Sequence, residues 1–269
     1  MKKQVTQKSH RLPGFTLIEL LVVIATMAGL IAILAPALRS SRQFAYRVVC
    51  ASHLRSVGQA LTMYDQDMEK SPPYYDRWGP KKQTYDTKYL EPWVTYVTHH
   101  QDELDADGRM IPLQLGLLHS SRYLEMPEAL YCPGQARIGS REVYTFRYYT
   151  EDGRYPWGTH LPVKSSGRPD DKIRTSYNYW LHGERSLLEV PRRPVLLDNI
   201  QHWNSLGHVN ADGEPAGINA LFGDGHVSFS ADRRIFEPAL WNGGPDAGPW
   251  DGPGNSVEKF VNILNLLEH

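Results

Sequence analysis

The distribution of apolar and polar positions divides the chain near residue 40. From Phe15 to Leu38 the only non-apolar side chains are Thr16, Glu19 and Thr26. As a helix rising about 1.5 Å per residue, this run spans about 36 Å, enough to cross a bilayer. A buried core helix usually carries a polar stripe, and this run is apolar all round beyond its first turns. Ala35-Pro36-Ala37 imitates the small-residue cleavage site of a secretory signal, but the apolar run exceeds the usual h-region of about 7–15 residues. Lys2, Lys3, Lys8 and Arg11 precede it and Arg39, Arg42 and Arg47 follow it, so charge alone does not orient it.

After Pro36 the period continues. Phe44, Val48, Leu54, Val57, Leu61 and Tyr64 recur at mostly three- and four-residue steps and predict one apolar face on a helix that Ser71-Pro72-Pro73 stops. A single helix from about Phe15 to Glu69 follows. Residues 71–175 mix aromatics with turn formers and predict loops with short helical pieces, one of them over Leu113–Leu124; residues 137–175 read as surface insertions. Strand signals return in "TSYNYWL" (175–181) and "PVLLDN" (194–199). "NALFGDGHVSF" (219–229) predicts a hairpin, with Gly223-Asp224-Gly225 supplying positive φ at the connection. The last segment, "SVEKFVNILNLLEH", places Val257, Phe260, Val261, Leu264 and Leu267 on one face of a helix with Ser256 as its N-cap. The expected class is α+β: a long N-terminal helix packed on a small antiparallel sheet of three or four strands, with loop-rich insertions.

Composition narrows the partners. At 269 residues there is ample length for a core, and 29 basic against 30 acidic side chains leave no global field to recruit nucleic acid. Cys50 and Cys132 can pair if the body is extracytoplasmic, closing a loop worth on the order of 4 kcal/mol, or stand as two free buried thiols.

Glu19 is the residue that needs a reason, because an acid in a lipid-spanning helix costs up to a few kcal/mol and is normally kept for a function. No cation lies within the segment. Leu12-Pro13-Gly14 forms a cleavable joint, and a cut after Gly14 would create an α-amine on Phe15 with a reference pKa of about 7.7–8. The basic leader ending in Gly14, followed by Phe15-Thr16-Leu17-Ile18-Glu19 and a long apolar helix, resembles the class III signal of type IV pilins and type II secretion pseudopilins. The resemblance implies cleavage between Gly14 and Phe15 by a membrane prepilin peptidase and N-methylation of Phe15. It also implies a role for Glu19 in attracting a neighbour's amine during assembly, a helix-bending Pro36, and a pilin-like fold. The implied layout is a leader at 1–14, a transmembrane and assembly helix at 15–38, a helical spine at 39–70 and an extracytoplasmic globular domain at 71–269. The N-terminus would be cytoplasmic, and the implied partners are the peptidase, further copies of the chain, and other pilins or secretion-system components.

The C-terminal part is similar to a group of prepilin-like proteins, abundant in planctomycetes, that end in a histidine, nine residues and Asp-Gly, usually within "H-x-G-G-x-N-x-L-F-x-D-G-H-V". "GEPAGINALFGDGHVSF" matches at Gly217, Asn219, Leu221, Phe222, Asp224, Gly225, His226 and Val227. Glu214 stands where that histidine belongs, and His208 is its displaced counterpart if the loop is longer here. His202 lies ten before Asp212-Gly213, without the hairpin context. "CASHLRSVGQALTMYDQD" through "SPP" resembles the segment that follows the membrane helix in the same group.

Signals for other chemistry are thin. Asp102, Asp105 and Asp107 before Gly108 partly imitate a calcium loop but lack its full spacing and closing glutamate, so a solvated turn is preferred and calcium is the one cofactor suggested. His202, His208, His226, Asp198 and Asp224 can be drawn together as metal ligands near the sheet, although no His-x-x-x-His spacing supports it. Without a G-x-S-x-G elbow to place a nucleophile, no enzyme is expected. The aromatics of "PPYYDRW" and "EPWVTY" read as packing rather than as stacking platforms for sugars or bases. Two functions remain: a filament subunit, or a membrane-anchored binding or metal-dependent body delivered by the same route.

Overall fold

The structure is a computed structural model that describes residues 15–70, 72, 95–108, 110–135, 144–150, 172–180, 186–200, 203–210, 212–241 and 256–268. It divides into two units, residues 1–41 and 42–269.

The described part of the first unit is the beginning of helix α1 (Leu17–Met68), and none of its side chains is buried. This is one helix long and apolar enough to cross a membrane. Its one mid-run hydroxyl is satisfied within the helix, where Thr26 donates to the Val23 carbonyl at 2.9 Å. Pro36 lies inside α1 without ending it.

In the second unit α1 becomes a core element. Its buried face is Cys50, Leu54, Val57, Gly58, Leu61, Tyr64 and Asp65, the three- and four-residue steps of one helix side. The face therefore starts at Cys50, not at Phe44. Phe44 and Val48 are at least half exposed, and the Arg47 guanidinium sits 5.1 Å from the Phe44 ring and 4.2 Å from that of Phe229. The helix ends at Met68, and Glu69 turns left-handed at φ 57°.

Two antiparallel sheets follow. One has the order β2-β1-β3, from β1 (Val97–Leu104), β2 (Met110–Pro112) and β3 (Lys172–Arg174). The other has the order β4-β5-β6-β7, from β4 (Tyr177–Tyr179), β5 (Pro194–Asp198), β6 (Ile218–Phe222) and β7 (Val227–Ser230). The second sheet contains the strands expected from 175–229. The first falls where loops were expected, and its polarity is the reason: Val97, Thr98, His99 and His100 are buried in succession, so β1 shows no alternation to read. Two short helices, α2 (Gly116–Ser120) and α3 (Phe146–Thr150), lie between β2 and β3.

The second sheet is covered on both faces. Tyr177, Tyr179, Leu196 and Leu221 join the α1 face in one core, while Leu197, Ile218, Ala220 and Phe222 pack with Trp241 and with Phe260, Ile263 and Leu264 of α4 (Ser256–Leu267) in a second. Burial on both faces explains why β5 and β6 show no apolar–polar alternation: every residue of both strands is buried, Asp198 and Asn219 included. Gly58 lets the helix close on the sheet, since a Cβ there would stand 2.8 Å from Leu221 Cδ1. At the β6–β7 connection Gly225 takes the positive φ, 86°. Gly223 does not; it is needed because a Cβ would collide with the Val190 carbonyl.

The polar strand β1 also sets an acid sensitivity. His99 is buried against Thr98 Oγ1 at 3.2 Å, and burial first, then the nearby His119, lower its pKa to about 3. An unfolded histidine titrates near about 6.5, so as pH falls from there toward about 3 the unfolded chain binds the extra proton and the fold loses up to about 1.4 kcal/mol per pH unit. Replacing His99 with Gln is expected to flatten this acid limb, a difference that thermal unfolding of the detergent-solubilised protein between about pH 7 and pH 4 will register.

Candidate functional sites

The first site is the start of α1. Glu19 Oε2 accepts the Thr16 backbone N–H at 2.8 Å and the Thr16 hydroxyl at 2.7 Å, while Thr16 Oγ1 accepts the Glu19 N–H at 3.3 Å. This reciprocal arrangement is a capping box. The carboxylate thus satisfies donors of the first helical turn in its own chain, a role legible in Thr16-x-x-Glu19 that the search for a distant cation overlooked. Gly14 lies outside the described residues.

The second site is buried in the body, where four elements converge. Cys50 comes from the covered face of α1, Cys132 from the turn after Pro127–Leu130, Asp198 from the end of β5, and His208 from the connection between β5 and β6. Their ligand-type atoms all lie within 4.8 Å of one another. Exposure is 0% for Cys50, 2% for Cys132, 1% for Asp198 and 3% for His208, so all four side chains are withdrawn from solvent. Cys50 donates its thiol to Asp198 Oδ1 at 3.1 Å and stands 3.3 Å from the Tyr177 hydroxyl. His208 Nε2 lies 3.4 Å from Asp198 Oδ2 and 3.6 Å from Cys132 Sγ. The Asn219 backbone N–H reaches Asp198 Oδ2 at 2.6 Å, and its side-chain nitrogen lies 2.8 Å from His208 Nε2.

Charge is redistributed within this group. Burial opposes the His208 imidazolium, but the Asp198 carboxylate and then Cys132 outweigh it and raise its pKa. Burial likewise raises Cys132, and the contacts to Cys50 and His208 reverse this and lower it. Cys50 is raised, chiefly by burial.

The geometry is not that of a catalytic thiol. In a Cys-His-Asp triad the carboxylate holds one ring nitrogen and the thiol uses the other. Here Asp198, Cys132 and Asn219 all converge on Nε2, while the buried Nδ1 has no partner among the described residues.

No protein-family model, curated protein or solved structure matches the chain.

The remaining candidates separate. Cys50 and Cys132, for which either pairing or two thiols was open, are brought together but unbonded. Among the described His and Asp residues considered as ligands, Asp198 and His208 join the buried cluster and Asp224 and His226 do not. Asp224 and His226 pair with each other at 2.5 Å on the exposed turn, and the His226 ring stacks on Phe222 at 4.2 Å. His208, considered from the sequence as a displaced counterpart of the motif histidine, contacts Asn219 and Asp198, while Asp224 pairs with His226. His202 lies outside the described residues. Asp105 and Asp107 sit in the β1–β2 connection, where Asp105 Oδ1 accepts the Asp107 N–H at 2.9 Å and Gly108 adopts φ 75°; the side chain of Asp102 lies outside the described residues. What the sequence reading missed is the pair of cysteines as members of the same cluster as Asp198 and His208.

Two glycines set the approach of the Cys132 and His208 loops. A Cβ on Gly134 would collide with the Gly207 carbonyl, and one on Gly207 would stand 2.9 Å from Cys132 Sγ. Backbone cannot yield as a side-chain end can, so Gly134→Ala is expected to cost about 1–3 kcal/mol. A lowered unfolding midpoint for this variant in denaturant titration is the outcome that checks it.

Proposed function

We propose that the chain is a prepilin-like subunit, cut after Gly14 by a prepilin peptidase, N-methylated on Phe15 and assembled through its apolar helix into a type II secretion-like pseudopilus or a related filament. The observation that carries this reading is the uncovered apolar start of α1, with the carboxylate of Glu19 in its first turn. Lipid covers such a surface before assembly, and neighbouring helices cover it afterwards. Both capping bonds fall on Oε2, which leaves Oε1 to receive the ammonium that cleavage creates on a neighbour's Phe15. Attraction between these charges, in a medium of low dielectric, sets the register between adjacent helices. In this reading the chain crosses the cytoplasmic membrane once, N-terminus inside, and residues 71–269 are extracytoplasmic.

A membrane-anchored body delivered by the same route would share the cleavage but not the assembly. Mass spectrometry of the mature protein is expected to find methyl-Phe15 at the N-terminus. Glu19→Ala is expected to be processed and to assemble at least about tenfold less well, the loss of roughly 1.4 kcal/mol of pairing, as scored by filament recovery from sheared cells. A processed variant that assembles normally would favour the anchored body, and an intact Met1 in cells with active peptidase excludes both.

A further inference from the structure

We infer that Cys50, Cys132, Asp198 and His208 form a closed tetrahedral site for a zinc ion that clamps α1 and the Cys132 loop to the sheet. Two of the distances between these groups are already close to the edges of such a tetrahedron, and the four ligand-type atoms all lie within 4.8 Å of one another. With metal–sulfur bonds of about 2.3 Å and metal–nitrogen and metal–oxygen bonds of about 2.0–2.1 Å, those edges are about 3.4 Å for nitrogen to oxygen and about 3.6 Å for sulfur to either. The observed separations are 3.4 Å from His208 Nε2 to Asp198 Oδ2 and 3.6 Å from His208 Nε2 to Cys132 Sγ. Cys50 Sγ reaches the other oxygen of the same carboxylate, Asp198 Oδ1, at 3.1 Å as a thiol hydrogen bond, which thiolate ligation would replace.

A disulfide accounts for two of these residues and leaves the other two unexplained. The pattern around His208 separates the readings further. Three polar groups crowd Nε2, which has one lone pair or one proton to offer, and the buried Nδ1 has no partner among the described residues. A metal at the centre accounts for two of the three groups, since Asp198 and Cys132 then share the ion with Nε2 while the Asn219 amide turns away from that nitrogen; Nδ1 keeps the proton, and both thiols ligate as thiolates. Two thiolates and an imidazole select zinc over calcium or magnesium, which take oxygen ligands. Burial of all four side chains leaves no position for a reacting water, so the ion is structural. The Tyr177 hydroxyl beside Cys50 and the Asn219 N–H on Asp198 offset the excess negative charge of the ligand set. The inference does not depend on whether the chain forms filaments.

The test uses the full chain, purified in detergent without chelator from cells in which it reaches its membrane. Elemental analysis is expected to find about one zinc per chain, and exchange into cobalt(II) is expected to give the visible bands of a tetrahedral ion together with thiolate charge transfer. Cys132→Ser and His208→Gln are expected to lose the metal, and Asp198→Asn to bind it at least about tenfold more weakly. If a variant fails to fold, the cobalt spectrum of the wild-type protein still decides. A Cys50–Cys132 disulfide in the protein as isolated, or two titratable thiols with no zinc and no tetrahedral cobalt spectrum after loading, overturns the proposal.

Discussion

The fold depends on the covered face of α1 that begins at Cys50. From there to Asp65 the helix presents a stripe that only the sheet can bury, and Gly58 allows the approach by giving room to Leu221. Burying side chains of this kind contributes about 1.5–3 kcal/mol each, so the seam is a large part of the stability of the body. Every strand of the second sheet sends residues to it or to the core on the opposite side.

A polar group set into such a seam is costly unless its members satisfy one another. Burying an unpaired carboxylate or imidazolium costs several kcal/mol, and even a paired set seldom improves on apolar packing. Asp198, His208, Cys50 and Cys132 nevertheless meet at the point where α1 reaches the strands, with Tyr177 and Asn219 around them. Apolar side chains of similar volume would fill the same space at lower cost. Retaining four ligand-type groups there makes sense when their joint chemistry does something packing cannot, and holding together four elements distant in sequence is one such task.

The N-terminal part of α1 obeys a different rule. Its backbone polar groups are satisfied inside the helix, as any segment in hydrocarbon requires, and its first turn is closed by Thr16 and Glu19. The same carboxylate can therefore serve the helix that carries it and a cation from elsewhere. In the proposed filament, pairing with a neighbour would use Oε1 and so would not compete with the capping bonds on Oε2.

Features that repeat over a few residues were legible in the sequence. The apolar run from Phe15, the period of the spine, the hairpin around Asp224 and the terminal helix each announce themselves because helices and strands impose short spacings on what they bury. Strand β1 was not legible, since its first four residues, Val97 to His100, are all buried whether apolar or polar and so show no alternation. Nor were Phe44 and Val48 separable from the buried face: period places them on the helix side that continues into the core, and only contact decides where that core begins. The cluster was the least visible of all. Asp198 and His208 were among the candidates considered, but Cys50 and Asp198 are 148 residues apart, and no spacing rule connects groups that meet only when helix, strand and two loops pack. The sequence by itself determined which segments must leave water; the tertiary structure alone decided which side chains meet there, because burial is a property of each segment while juxtaposition belongs to all of them at once.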